Sequence, residues 1–222
     1  AFIKTRGVLY LHRFLFSKAL WITLLAVLAF SSFIYVGLGS RERLGTRFNT
    51  QEMTLNGESF MAQAVHWEKD VPFELKWDQE AIIWLRSNVQ GSPVVLEAHT
   101  EQYRWGARFA NYTGLPTVIG WPWHQIQQRG DYSFAVHQRA SDVKEVYSTR
   151  DYNRAMELLG RYDVKYIIVG DLERIWYPQP GLDKFLAMID EGLVRVAYRN
   201  QGTVIYEVVP SNTLTVSAGT RK

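Results

Sequence analysis

The sequence contains no cysteine and lacks the short motifs that mark several large enzyme classes. Without cysteine the chain has no disulfide framework, no thiolate metal site and no cysteine nucleophile. Neither the glycine-rich loops that bind nucleotide phosphates nor the Gly-x-Ser-x-Gly turn of serine hydrolases occurs. These absences exclude the classes that depend on such motifs, and they leave the redox compartment undecided.

Acidic residues are scarce in the first fifth of the chain. The 222 residues include 25 basic and 22 acidic ones, and the sequence pI is about 9.1. Residues 1–47 hold seven of the basic residues and one acid, so residues 48–222 have a net charge of −3. A nucleic-acid-binding domain needs a basic surface on its folded part. We therefore expect no nucleic-acid partner, and the basic residues surround an apolar segment instead.

Residues 19–40 form a run of 22 residues without a charged side chain. About 20 apolar residues cross the hydrocarbon core of a bilayer as a helix. Trp21 and Tyr35 lie near the two ends, as is typical of the membrane–water interface. The run is long for a buried helix of a soluble protein, and no small-residue cleavage site of a signal peptide follows it. We predict a transmembrane helix over residues 19–40, after a basic segment at 1–18, with membrane lipid as its partner.

The remaining chain predicts one α/β domain at residues 78–210, between a connector at 41–77 and a flexible tail at 211–222. We expect a helix that begins with Asp78 as its N-cap, a short helix at 142–147, and helices at 152–159 and 182–189. Buried strands are predicted at 94–96 and 164–169 as parallel neighbours, followed by a β-hairpin within 193–209. The predicted fold is a small, mostly parallel sheet with a C-terminal hairpin.

Residues 97–139 show no sustained period and predict a long irregular stretch with short elements. The stretch is rich in aromatic residues, arginines and histidines, a combination that suits sugars, phosphates or lipid headgroups. Glu97 directly follows a predicted strand, at the edge where α/β sheets bind ligands, and could be a base, a metal ligand or an arginine partner. His124 could act as an acid/base, as a hydrogen-bond donor to a phosphate, or as a structural histidine. Asp171 and Glu173 could share that edge or cap the next helix.

Residues 113–130, TGLPTVIGWPWHQIQQRG, resemble the signature of the YYY family of large multi-pass membrane proteins. The segments GESFM at 57–61, NVQGSPVVL at 88–96 and YIIVGDLER at 166–174 follow in the order expected for that family. The resemblance covers about residues 45–210. One position differs, because His124 is followed by Gln125 where the family pattern has glutamate, and this puts an acid/base role of the pair in doubt.

The YYY family is similar to the C superfamily of membrane glycosyltransferases, which use polyprenyl-phosphate sugars. The resemblance implies that this chain, which begins with Ala-Phe-Ile-Lys, is the last span and the extracytoplasmic C-terminal domain of a longer protein. Upstream transmembrane helices would then be its partners. They would carry the catalytic acid and any divalent metal, so the sequence assigns neither a catalytic residue nor a cofactor to this chain.

Three functions remain open from the sequence, of which the third is a polytopic, transporter-like protein with an appended domain. In the first, the chain belongs to a glycosyltransferase and its domain binds the acceptor or a lipid-linked sugar phosphate. In the second, it is a non-catalytic, membrane-anchored binding or assembly module, because no complete catalytic set of residues occurs in it. The candidate substrate-binding residues are Glu97, Arg108, Thr117, Trp121, Trp123, His124 and Arg129.

Overall fold

The computed structural model describes the backbone of residues 2–47 and 54–210, and side chains for residues 16–45 and 54–210. Internal contacts divide the chain into two units, Ala1–Gly57 and Glu58–Lys222. The division lies inside the segment predicted as a connector. The predicted tail at residues 211–222 lies outside the described residues.

The first unit is helical. Helix α1 (Phe2–Ile34), a π-helical turn (Tyr35–Gly39) and helix α2 (Ser40–Arg47) follow one another directly. The stretch Phe16–Gly45 is 30 residues long and is apolar enough to cross a membrane, and its apolar window is not buried. The Trp21 and Phe30 side chains are 67% and 68% exposed, which in water would be costly. The predicted apolar helix over residues 19–40 is therefore confirmed.

The second unit alternates helices and strands. Its first elements are a 3₁₀ turn (Ser59–Ala62), β1 (Val65–Glu68), β2 (Val71–Glu74), α3 (Lys76–Asn88) and β3 (Val94–Leu96). Next come α4 (Arg108–Thr113), α5 (Pro122–Arg129), a 3₁₀ turn (Gly130–Tyr132), α6 (Ser133–Ser148) and α7 (Tyr152–Arg161). The last elements are β4 (Val164–Val169), α8 (Asp171–Trp176), α9 (Gln179–Asp190), β5 (Val194–Arg199) and β6 (Val204–Val208).

The main sheet has four strands in the order β3-β4-β6-β5. Strands β3 and β4 are parallel, with Leu96 opposite Ile167, whereas β4–β6 and β6–β5 are antiparallel. The predicted α/β class, the parallel pair and the C-terminal hairpin are confirmed. The sheet is mixed rather than mostly parallel, because the hairpin contributes half of its strands. A separate antiparallel hairpin, β1–β2, lies within the predicted connector.

Helix boundaries differ from the prediction at two places. Helix α3 begins at Lys76, so Asp78 lies in its first turn with a buried carboxylate and is not the N-cap. The stretch predicted as irregular contains α4, α5 and the first part of α6, and the short helix predicted at 142–147 is the end of α6. Helix α7 follows the prediction, because the Asp151 carboxylate accepts hydrogen bonds from the Asn153 and Arg154 amides.

Helices cover both faces of the main sheet. Ile167 and Ile168 are adjacent on β4 and both are fully buried. Because successive side chains of a strand point to opposite faces, apolar cover is required on each face. Leu158 of α7 and Phe185 of α9, two helices that pack together, and Ile82 of α3, which packs against β5, belong to the buried core that supplies this cover. The sheet therefore offers ligands its edges and strand ends rather than its faces.

Candidate functional site

Glu97 follows β3 directly and caps the start of α4. Its two carboxylate oxygens accept hydrogen bonds from the amides of Phe109 at 2.8 Å and Ala110 at 2.9 Å. The side chain is completely buried. The contacts of Glu97 therefore join the end of a strand to the next helix, which is a structural role. Its predicted role in substrate binding stays a prediction.

Arg108, the first residue of α4, lies inside the domain between two carboxylates. Its Nε donates to Asp78 Oδ2 at 2.5 Å, and its Nη2 donates to Glu173 Oε2 at 2.9 Å. Only 1% of the Arg108 side chain is exposed. Trp105 Nε1 also donates to Asp78, at 2.9 Å. In this arrangement the guanidinium connects α3, α4 and α8 and does not reach the surface, and its predicted binding role stays untested.

Glu173 is the second acid that sequence reasoning left open. Its Oε2 accepts a hydrogen bond from the Gly170 amide at 2.8 Å, which caps α8, and its Oε1 accepts one from the Ala98 amide at 2.8 Å. It thereby joins the two segments that leave the carboxyl ends of β3 and β4. The capping interpretation is confirmed for Glu173, whereas the Asp171 carboxylate pairs with Arg174 at 3.1 Å.

Buried carboxyl groups outnumber buried guanidinium groups here, because Asp78, Glu97 and Glu173 surround Arg108. We call these four side chains the buried charge cluster. Burial raises the pKa of Glu97 to about 7, against the opposing attraction of Arg108. Burial also acts to raise the pKa of Glu173, but the charge and hydrogen bonds of Arg108 outweigh it and lower that pKa. Glu97 therefore retains a proton more readily than Glu173 does.

Thr117 lies beside β3. The Val95 amide donates to the Pro116 carbonyl at 2.8 Å, and Val95 and Thr117 form an isolated parallel bridge. The Thr117 hydroxyl is buried and has no hydrogen-bond partner among the described residues. The signature segment thus extends the edge of the sheet before it turns into α5, and this fixes where α5 begins.

Trp121 and His124 form an aromatic cluster with Tyr103 at the start of α5. Ring centroids are 5.3 Å apart for Tyr103–Trp121, 6.3 Å for Tyr103–His124 and 6.5 Å for Trp121–His124. Tyr103 has a left-handed backbone conformation, with φ of 61°, and its side chain is 70% exposed. Strained residues of this kind concentrate at functional sites. The cluster joins two residues of the signature to Tyr103 and presents polar aromatic groups near the surface.

Two ring nitrogens of the aromatic cluster have no partner among the described residues. Gln128 Nε2 lies 3.0 Å from His124 Nε2, one helical turn away. When the amide donates to this nitrogen, the neutral imidazole carries its proton on Nδ1. His124 Nδ1 and Trp121 Nε1 are both buried and unpaired within the described structure. Buried donors without acceptors are rare and call for an explanation, such as a bound group.

A cavity of about 380 Å³ lies between α5 and α6, and we call it the arginine cavity. Arg129 and Arg139 line it, together with Gln125, Gln128 and Tyr132. Arg139 donates to the Val118 carbonyl at 3.2 Å, whereas the exposed Arg129 makes no ion pair with any described residue. Gln128 belongs to both the cavity and the contact with His124. The cavity and the aromatic cluster therefore share α5.

The predicted residues thus fall into four places. Glu97 and Arg108 lie in the buried charge cluster, and Thr117 lies at the sheet edge. His124 and Arg129 lie on α5, and Trp121 is its N-cap. Trp123 is 53% exposed and lines a different pocket. Sequence reasoning missed Gln128 and Arg139 as neighbours. The spacing of four residues between His124 and Gln128 on one helix could have identified the first of them.

Within residues 16–45 and 54–210, no three His, Asp or Glu side chains are grouped to hold a metal ion. No family model matches the chain, and no curated protein matches it. Among solved structures, it is similar to the C-terminal globular domain of an oligosaccharyltransferase from Archaeoglobus fulgidus. One such structure has 12% identity and a TM-score of 0.39, covering 59% of this chain and 96% of that chain. Another has 14% identity and a TM-score of 0.37, covering 61% and 97%. These TM-scores are too low to establish a shared fold or activity.

Proposed function

We propose that the chain is the C-terminal part of an integral membrane protein of the YYY type, similar to glycosyltransferases that use polyprenyl-phosphate sugars. In this proposal the domain faces the extracytoplasmic side. The aromatic cluster and the arginine cavity together bind the acceptor or the phosphate of the lipid-linked donor. The catalytic acid belongs to upstream helices of the same protein.

Two features outside the site support this proposal. The signature at residues 113–130 resembles the YYY family, and it occupies the sheet edge and α5. The helix Phe16–Gly45 has the length and composition to hold the chain in a bilayer, where a lipid-linked donor is found. A domain tethered to that surface meets its donor without diffusing through the solvent.

The observation that carries the proposal is the placement of two kinds of binding group around one short helix, α5. Trp121, His124 and Tyr103 supply aromatic faces and unpaired ring nitrogens, which suit a sugar. Arg129 and Arg139 supply guanidinium groups around a cavity of about 380 Å³, which suits a phosphate. A sugar phosphate carries both chemical features.

The test is sugar transfer by the full-length protein from a polyprenyl-phosphate sugar, measured for Arg129→Ala and His124→Ala. A charge-assisted hydrogen bond contributes about 1.5–3 kcal/mol. Its loss in Arg129→Ala is expected to raise the KM for the donor about tenfold to a hundredfold. His124→Ala is expected to lower transfer, because the Trp121 and Tyr103 rings lose their neighbour.

Gln127→Ala is the matched control, because Gln127 is exposed on α5 and does not line the arginine cavity. It should transfer sugar as the parent protein does, and thermal unfolding should show that each variant is folded. Unchanged transfer in Arg129→Ala and His124→Ala would remove the α5 surface from the mechanism.

One observation favours the alternative, a non-catalytic binding or assembly module. Three of the acids around the signature, Asp78, Glu97 and Glu173, are buried in internal contacts. These three carboxylates are therefore not exposed for general acid–base chemistry on a bound substrate. Donor binding that persists when no transfer occurs, in a protein with its complete upstream helices, would support the alternative.

A further inference from the structure

We propose that a second pocket, which we call the two-tryptophan pocket, binds the ring of a neutral sugar. The pocket has a volume of about 380 Å³, and its lining includes His99, Glu101, Gln102, Trp123, His137 and Trp176. This inference goes beyond the proposed function, because neither the aromatic cluster nor the arginine cavity lines this pocket.

The pocket lies beyond the carboxyl ends of the parallel strands. Residues 99–102 leave the end of β3, and Trp176 is the last residue of α8, which follows β4. Ligands of α/β sheets bind in the crevice at this end, where chain segments from neighbouring strands separate. The third wall comes from Trp123, in the first turn of α5.

The two indole rings supply flat apolar walls. Trp123 is 53% exposed, so its ring is open to a partner. The ammonium of Lys69 lies 3.7 Å from the centroid of a Trp176 ring and holds that indole in place. A sugar ring has one face of C–H groups that stacks on an indole, while its hydroxyls remain at the rim. Exposed tryptophan with polar neighbours is therefore suited to a sugar.

The polar groups of the pocket match hydroxyls. Trp176 Nε1 is buried and has no hydrogen-bond partner among the described residues, so it can donate to a ligand oxygen. His99 Nε2 donates to the Ala140 carbonyl at 2.9 Å, which leaves Nδ1 as an acceptor. Burial lowers the pKa of His99, so this ring is neutral at physiological pH. Glu101 and Gln102 add an acceptor and a planar amide at the exposed rim.

Charge distinguishes a sugar from a phosphate here. Among the described residues that line the two-tryptophan pocket there is no lysine or arginine, and Glu101 contributes a negative charge. A phosphate would find no guanidinium in this lining. A volume of about 380 Å³ is small for a ligand site, and suits a monosaccharide.

The test is ligand-observed saturation-transfer NMR on the full chain in lipid nanodiscs. The probes are methyl glucoside, methyl mannoside and N-acetylglucosamine, with inorganic phosphate as the charged comparison. We expect the parent chain to saturate the C–H protons of at least one sugar. We expect inorganic phosphate not to displace that sugar. Trp123→Ala removes one wall and is expected to weaken binding about tenfold. Trp176→Phe keeps a ring but removes the N–H donor, and should weaken binding less.

Trp67→Ala is the matched control, because Trp67 is 62% exposed on the β1–β2 hairpin and does not line the pocket. It should bind as the parent does. Gln127→Ala, on α5 but outside this pocket, should also bind as the parent does. Loss of the sugar signal in Trp123→Ala together with unchanged transfer in Arg129→Ala would support this inference and contradict only the proposed function. Absence of saturation for every sugar, equal loss in Trp67→Ala, or displacement of the sugar by phosphate would overturn the proposal. Both Trp123 and Trp67 are exposed, so neither substitution removes a core side chain.

Discussion

At the scale of single residues, burial decides which charged side chains can meet a ligand. Arg108 and Glu97 have the residue types of a binding site, yet their hydrogen-bonding groups are used inside the domain. Arg129 and His124, a few residues further along the chain, retain groups that no described residue satisfies. The buried charge cluster therefore contributes to the site by stabilising the folded domain. Its contacts lead to two predictions.

Arg108→Leu is expected to destabilise the domain by about 3–5 kcal/mol, because Asp78 and Glu173 lose their buried counter-charge. Arg104→Leu is the matched control, since Arg104 is exposed and lies four residues earlier. It should change the free energy of unfolding by less than about 0.5 kcal/mol. Urea unfolding followed by tryptophan fluorescence measures both. Equal stability of the two variants would show that the buried ion pairs contribute nothing net.

The pKa of Glu97 predicts a dependence of stability on pH. In the folded domain this pKa is about 7, above the ordinary value of 4.5, so the folded state binds more protons than the unfolded state between these values. The stabilising contribution of Glu97 is complete below the ordinary pKa and is lost as the pH rises through about 7. Glu97→Gln carries no titrating proton. The stability difference between the parent and Glu97→Gln should therefore shift against the parent from about pH 5 to about pH 8. Parallel pH curves for the two proteins would contradict this assignment.

At the scale of elements, short helices depend on contacts made far along the chain. Helices α4 and α5 contain 6 and 8 residues, too few to show a clear apolar period. The start of α4 is fixed by Glu97, and that of α8 is fixed by Glu173, three residues beyond Gly170. Both helix starts lie at the buried charge cluster. A glycine beside this cluster, Gly170, should therefore respond to substitution differently from a glycine within a helix, Gly160.

Gly170→Ala and Gly160→Ala form a matched pair. A Cβ at Gly170 would lie 2.9 Å from Arg108 Nη2 and 3.2 Å from Asp78 Oδ1, which crowds the buried charge cluster. A Cβ at Gly160, within α7, would meet nothing within 4 Å. We expect Gly160→Ala to stabilise the domain by about 0.5–1 kcal/mol through helix propensity, and Gly170→Ala to destabilise it. Thermal unfolding measures both changes, and stabilisation by Gly170→Ala would show that the cluster has room to move.

At the scale of the whole molecule, the chain combines an apolar helix with an independent hydrophobic core. The stretch Phe16–Gly45 has the length and apolar composition to cross a membrane, and its apolar window is not buried in the described structure. The side of the membrane rests on the resemblance, because four basic residues precede the span and three follow it.

The lack of cysteine makes the topology measurable with single introduced thiols. We expect Gln63→Cys, an exposed position of the domain, to react with a membrane-impermeant maleimide in intact cells. Thr5→Cys, before the span, should react only after the cells are permeabilised. The parent chain, without cysteine, is the unlabelled control. The reverse pattern would place the domain in the cytoplasm and would contradict the proposed encounter with an extracytoplasmic donor.

The sequence by itself determined the features that depend on local pattern. The apolar helix, the strands at 94–96 and 164–169, the helix predicted at 152–159 and the C-terminal hairpin follow from hydrophobic runs, apolar spacing and turn residues. These signals act over a few residues, so they are visible without tertiary contacts. The signature at 113–130 also marked Trp121 and His124 as candidates, although it did not predict helix α5, on which His124 lies.

Only the tertiary structure decided which of the marked residues share a place. Asp78, Arg108 and Glu173 come from three helices and meet in the interior, and no local pattern records such a meeting. The same holds for Trp123 and Trp176, which are distant in sequence and line one pocket. The physical reason is that burial and charge pairing depend on the whole packed chain, whereas periodicity depends on neighbours along it.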